Sequence, residues 1–215
     1  MLLAGPCSIS AQGFVNLNFE AATLATNGAP SFVSTSVGLP GWTALIGGVS
    51  QSSILYNNGT LGSSAVAILG NGNLINPVIE GGFSASLTAG DTGDAAISQT
   101  GLVPAGSASI FYKAYSQGNG LPNLLVTLNG QAITPFQLLT TPNYTLYGGD
   151  VSAFAGQTAS LAFTAASKIN PLGFEIFGLD SISFSSSSIP EPSGLALSAL
   201  GGILFAWCAG KKSSP

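Results

Sequence analysis

The side chains able to do chemistry in this chain are mostly carboxylates. Glu20, Glu80, Asp91, Asp94, Asp150, Glu175 and Asp180 lie in its body, and Glu191 stands near its C-terminal end. Two carboxylates can hydrolyse a glycosidic bond, one as acid and one as base or nucleophile. Nothing in the spacing of these acids selects such a pair. Other chemistries fall by residue type. Without histidine, neither a Ser-His-Asp triad nor a Cys-His dyad can form, and the commonest zinc sites are excluded. Cys7 and Cys208 both lie in terminal apolar segments, which leaves the body without a thiol nucleophile. There is no P-loop, because GNGN at residues 70–73 is a turn with no lysine after it. Asp91-Thr92-Gly93-Asp94 reads as a solvated turn. The chain is therefore read as a non-enzyme.

The charge balance narrows the partners. Charged residues make up 6% of the chain, against about 25% in ordinary soluble domains. There is no arginine, and the cations are Lys113, Lys168, Lys211 and Lys212. Two lysines in the body cannot neutralise a run of phosphates, so nucleic acid is excluded as a partner. Hydroxyls and amides must hydrate this surface, which suits an extracellular or matrix setting. Apolar residues at 46% leave enough material for a sizeable core.

The elements that must position these residues are strands. Short β-rich runs recur between Gly, Pro and Asn punctuation: FVNLNFE, SFVSTSV, GWTALIGGV, SAVAIL, FSASL, AAISQT, ASIFYKAY, NLLVTLNG, TPFQLL, NYTLYGGDV, ASLAFTA and GFEIFGLDSISF. In residues 109–115, Ile110, Tyr112 and Ala114 share one face, and Phe111, Lys113 and Tyr115 the other. Asn129-Gly130 between two such runs is a hairpin signal. Many short strands with regular turns predict an all-β sandwich or barrel. Trp42 belongs in its core. Tyr115 and Tyr147 are expected at the surface; they, with Trp42, Tyr56, Tyr112 and Tyr144, are the rings on which a sugar could stack.

The two ends differ from the body. Residues 1–11, MLLAGPCSISA, are apolar and then small and polar, and read as the back half of a secretory signal cleaved after Ala11. Residues 192–210 carry no charge between Glu191 and Lys211. As a helix they would span roughly 28 Å, close to the hydrocarbon thickness of a bilayer. Trp207 sits where interfacial aromatics belong, and Lys211 and Lys212 follow as a positive-inside stop. A serine run and two prolines keep the stretch before it extended, and Glu191 is costly in lipid.

Ile189-Pro190-Glu191-Pro192, then an apolar run, then a basic tail resembles a PEP-CTERM protein-sorting domain. That resemblance implies a bacterial export substrate with three parts. Pro190, Glu191 and Pro192 would be the sorting motif, a single transmembrane helix would follow, and Lys211 and Lys212 would be its membrane stop. It also implies an exosortase-type processing enzyme as partner, and passage through the inner membrane to the cell surface or extracellular space. The body resembles the galactose-binding-like jelly-roll domains found in many carbohydrate-binding modules. The likeness lies in NLNFE, LPGWT, ISQTGLVPAGSASIFYKA and FGLDSISF. It implies an antiparallel jelly-roll sandwich and a possible structural calcium at Glu20 and Asp180, the second acid of that pattern being replaced here by Ser181. Calcium takes six to eight oxygens. The organisation expected is a partial signal peptide over 1–11, a β-sandwich over 12–184 and a sorting signal over 185–215. The function expected is a structural or adhesive surface protein, or alternatively a module that binds a polysaccharide.

Overall fold

Period-two alternation sets most of the strands. In the computed structural model, which describes residues 12–189 apart from 61, 74–75, 91–92, 119–123 and 167–174, nearly every expected run is a strand. The first half of the described chain holds β1 (Ser31–Ser34), β2 (Thr43–Ile46), β3 (Val49–Gln51), β4 (Ser53–Tyr56), β5 (Ala65–Gly70), β6 (Phe83–Ala89) and β7 (Ala95–Leu102). The second half holds β8 (Ser109–Gly118), β9 (Leu124–Leu128), β10 (Gln131–Ala132), β11 (Phe136–Thr140), β12 (Thr145–Asp150), β13 (Thr158–Ala165) and β14 (Glu175–Ser185). A single helical turn, Thr35–Gly38, and a short 3₁₀ turn, Ser152–Phe154, are the helical elements described.

The strands form two sheets, as expected of an all-β sandwich. The larger runs β1-β4-β5-β6-β14-β8-β12-β11, and the smaller β10-β9-β13-β7-β2-β3. Strand pairs are antiparallel except β4 with β5. Asn129 and Gly130 both take positive φ and turn β9 into β10, the hairpin the sequence announced. Trp42 is buried and gives its indole N–H to the Asn16 carbonyl at 3.0 Å. It packs between Phe19 and Phe163, and Phe163 meets Tyr112 edge-on at 5.3 Å.

Three local expectations need correction. FVNLNFE is not a strand: Asn16 and Phe19 adopt positive φ and turn the segment, which delivers Phe14 onto Phe184 at 5.3 Å and Phe19 into the core. SILY, β4, is a strand that the runs above omit. Tyr115 and Tyr147 are not at the open surface. Tyr147 stacks on Tyr112 at 5.4 Å, and the Tyr115 ring lies over Gly178, where any side chain would collide with it. Among the described residues no helix is long and apolar enough to cross a membrane. The segment expected to do so, with Pro190, Glu191, Pro192, Lys211 and Lys212, lies outside them, as do Met1–Ala11, Asp91, Thr92 and Lys168.

Strand β6 departs from simple alternation. Phe83, Ala85, Leu87 and Ala89 face the core, yet Ser84, Ser86 and Thr88 on the opposite face are also buried. Part of the cover is residues 76–82, which lead into β6 and fold back over the outside of the sheet. Val78 packs on Leu55, Ala65, Ala67 and Leu69, and the Ile79 N–H donates to Ser84 Oγ at 2.9 Å. These residues act as a strap.

Phe163→Ala removes the ring that joins Trp42 to Tyr112. It should cost about 3–5 kcal/mol of unfolding free energy by urea titration, while leaving the far-ultraviolet β signal intact.

Candidate functional site

Where the strap crosses β14, four charged residues come together: Glu20, Glu80, Lys113 and Asp180. Asp180 lies opposite Lys113 across the β14–β8 pair. The next residue, Ser181, has positive φ and begins a bulge, because Asp180 and Ser183 pair with Lys113 and Phe111. A bulge re-aims side chains. Here it turns the Ser181 hydroxyl to Glu80 Oε2 at 2.5 Å, while its N–H donates to Asp180 Oδ1 at 2.6 Å. Asp180 Oδ2 takes the Ser84 hydroxyl at 2.6 Å and the Glu80 N–H at 3.2 Å. Lys113 Nζ reaches Glu80 Oε2 at 2.6 Å and sits 5.0 Å from the centre of the Tyr144 ring. Glu20, from the turned segment, accepts the Gly82 and Phe83 N–H groups on Oε1 at 2.9 and 3.0 Å.

The structure thus brings Glu20 and Asp180 to two sides of one strap and adds Glu80, Lys113, Ser84 and Ser181. Sequence reasoning counted Glu80 among the acids but did not bring it to Asp180, 100 residues away, or to Lys113, 33 away. The one sequence hint was Ser181, where the jelly-roll pattern often carries a second acid. In this chain Ser181 holds a carboxylate brought by the strap.

The electrostatics split the acids. Burial pushes Asp180 up to about 6, partly offset by the Ser84 hydroxyl and two backbone N–H groups, with repulsion from Glu20 adding to the rise. Hydrogen bonds from Lys113 and Ser181 hold Glu80 below the ordinary carboxylate range, and the Glu80 contact holds Lys113 above its own. One raised and one lowered carboxylate is the pattern of an acid–base pair. Catalysis also requires the acid to reach a substrate atom. Asp180 is 1% exposed beneath Ser84 and the strap, out of reach of a substrate atom.

The same test bears on calcium. Asp180 Oδ2 and Glu20 Oε1 each take two hydrogen-bond donors, so these two oxygens are committed to the strap and to Ser84. Among the described residues no three acids or cysteines are grouped to hold a metal. These residues make a hydrogen-bonded clasp between β14, the strap and the turned segment.

Elsewhere, a cleft of about 540 Å³ opens beside β11 and β12, lined by Ile133, Phe136, Asp150, Phe154, Ser188 and Ile189 among others. Asp150 there is held below its usual range by donors from Ser152. Of the rings considered for sugar stacking, Trp42, Tyr56 and Tyr112 are buried and Tyr115 and Tyr147 half-buried against the body. Tyr144, beside Lys113, is also half-buried.

Two outcomes check the clasp. The folded state raises Asp180, so its protonated form is the one the fold favours. Its contribution is full below about pH 4, and lost as pH rises through about 6. Relative to Asp180→Asn, the wild type should lose about 3 kcal/mol of stability between about pH 4 and pH 7, read by denaturant titration at each pH. The melting temperature should be the same in calcium and in a chelator. A calcium-dependent rise that Glu20→Gln abolishes would show that the donors give way to the ion.

No protein-family model matches this chain and no curated protein matches it, so its function is argued from its own residues.

Proposed function

We propose that this is an exported, non-catalytic protein of a bacterial cell surface or extracellular matrix. Its body is a structural or adhesive sandwich of jelly-roll type, delivered by a C-terminal sorting signal. The observation that carries this reading is how body and signal adjoin. Strand β14 closes the larger sheet at Ser185, and two contacts tie the end of the body to β8: Ala108 N–H to the Ser185 carbonyl at 2.7 Å, and Ser109 Oγ to the Ser187 carbonyl at 2.7 Å. Ile189, the last described residue, opens Ile189-Pro190-Glu191-Pro192. The fold thus uses the chain up to the motif. A processing enzyme of the exosortase type would find the motif directly after the body.

The absence of arginine and histidine, the burial of Asp180, whose pKa is raised, and the hydrogen-bonded clasp support a structural role for the body. The alternative, a module that binds a polysaccharide, is favoured by the cleft holding Phe136 and Asp150. It is weakened by the burial of most candidate stacking rings.

Intact mass of protein recovered from the cell surface tests the reading. The expected mass lacks Met1–Ala11 and Leu195–Pro215. A full-length C-terminus on surface protein would make the tail a permanent anchor, and an untrimmed cytosolic protein would overturn export altogether.

A further inference from the structure

We infer that the β11 edge of the larger sheet is the face this protein turns toward a lipid bilayer, with Leu138 and Leu139 in the interface. The inference rests on the sorting-signal reading above, in which the apolar run from Leu195 is held in the bilayer until the tail is cut. A regular strand sends neighbouring side chains to opposite faces. In β11 the register slips between Gln137 and Leu139, so Leu139 pairs with Leu146 while Gln137 pairs with Tyr147. Tyr147 points inward, where it stacks on Tyr112, and Leu146 points outward beside Phe111. Leu139 therefore faces out. So does the bulged Leu138, whose Cδ1 lies 2.9 Å from where a Cβ on Gly148 would stand. Two consecutive leucines share the outer face, exposed by 38% and 54%.

The position of the chain's exit selects the bilayer as occupant. Ile189 Cδ1 lies 3.0 Å from that same Gly148 point, and Phe111 Cε1 lies 3.1 Å from it. Phe111, Leu138, Leu139, Leu146 and Ile189 thus make one apolar patch at the point where the chain leaves the body. Residues 190–194 separate it from the apolar run that begins at Leu195, and the six steps from Ile189 to Leu195, fully extended, reach at most about 22 Å. A run held in lipid would keep this patch within that distance of the headgroups. Among the described residues, Asp150 and Lys113 are the charged ones that line the two depressions on this face, and Lys113 is held by Glu80. Apolar side chains with little fixed charge suit the headgroup boundary.

The opposite edge supplies the control. Phe32 on β1 is 74% exposed, more than either leucine, but β1 lies seven strand steps from β11, roughly 33 Å along the sheet. The full chain carries Cys7→Ser and Cys208→Ala, with a fluorophore on either Leu139→Cys or Phe32→Cys. It is incorporated into vesicles of phosphatidylcholine and phosphatidylglycerol bearing spin labels at headgroup depth. Quenching should be several-fold stronger at position 139 than at position 32. Equal quenching, stronger quenching at 32, or none at either site in a chain that does associate with the vesicles overturns this orientation while leaving the anchor standing. A chain that does not associate overturns the anchor reading and this inference with it.

Discussion

A strand buried on both faces needs a cover for each, and much of the larger sheet is arranged to supply the second one. The core face of β6 is met by the smaller sheet. Its outer face carries Ser84, Ser86 and Thr88, hydroxyls that alternation would leave in water and that the structure buries. Buried hydroxyls require partners. The strap supplies one to Ser84 through the Ile79 N–H, and Asp180 accepts from the same hydroxyl. The cost is a carboxylate out of water, visible in its raised pKa. Two backbone N–H groups offset part of that cost. The bulge at Ser181 is what lets one strand both continue its pairing with β8 and aim two groups at the strap. The exposed Glu80–Lys113 pair contributes little by itself, as solvated ion pairs do. Its geometry fixes where the strap lies.

How much of this is legible in the sequence depends on how local each signal is. The alternation of β8, the inward ring of Trp42 and the Asn129-Gly130 turn are statements about neighbours in sequence, and they hold. FVNLNFE carries the composition of a strand but turns, because Phe14 and Phe19 are each drawn to a different ring, Phe184 and Trp42. No window of seven residues contains that competition. Tyr115 and Tyr147 alternate with neighbours that suggest an outward ring. A glycine opposite the first and a tyrosine opposite the second draw them against the body instead. The clasp is legible only at Asp180 and Glu20. Glu80 belongs to it because a connection folds back over a sheet, which is a tertiary event with no periodicity to announce it.

Scarcity of charge makes this chain dependent on backbone donors and hydroxyls for tasks that other surfaces give to ion pairs. Two of the three clasp carboxylates, Glu20 and Asp180, are held by N–H groups and a serine hydroxyl. The edges are equally plain: β1 and β11 carry no charged residue, although charge is the usual guard of an unpaired edge. In β11 the guard is a bulge, which disturbs the ladder that another strand would need. The same bulge places two leucines side by side. One local irregularity therefore both discourages strand addition and builds an apolar surface.

That surface lies where the body ends, and the tie between β8 and the chain after β14 gives the coincidence a mechanical meaning. Ser185 and Ser187 are held by Ala108 and Ser109, so the chain is fixed to the sheet until two residues before Ile189. A tether fixed this late transmits little rotational freedom to the body before it. On the proposed reading, a body attached to a membrane through five residues cannot present an arbitrary face. The face nearest the exit is the one with exposed leucines and almost no charge, and the clasp is centred further in, on β14 and the strap before β6. An attachment segment alone would leave the orientation of the sandwich to chance. An apolar edge beside that segment would bias it, and would lose that role once the tail was cut.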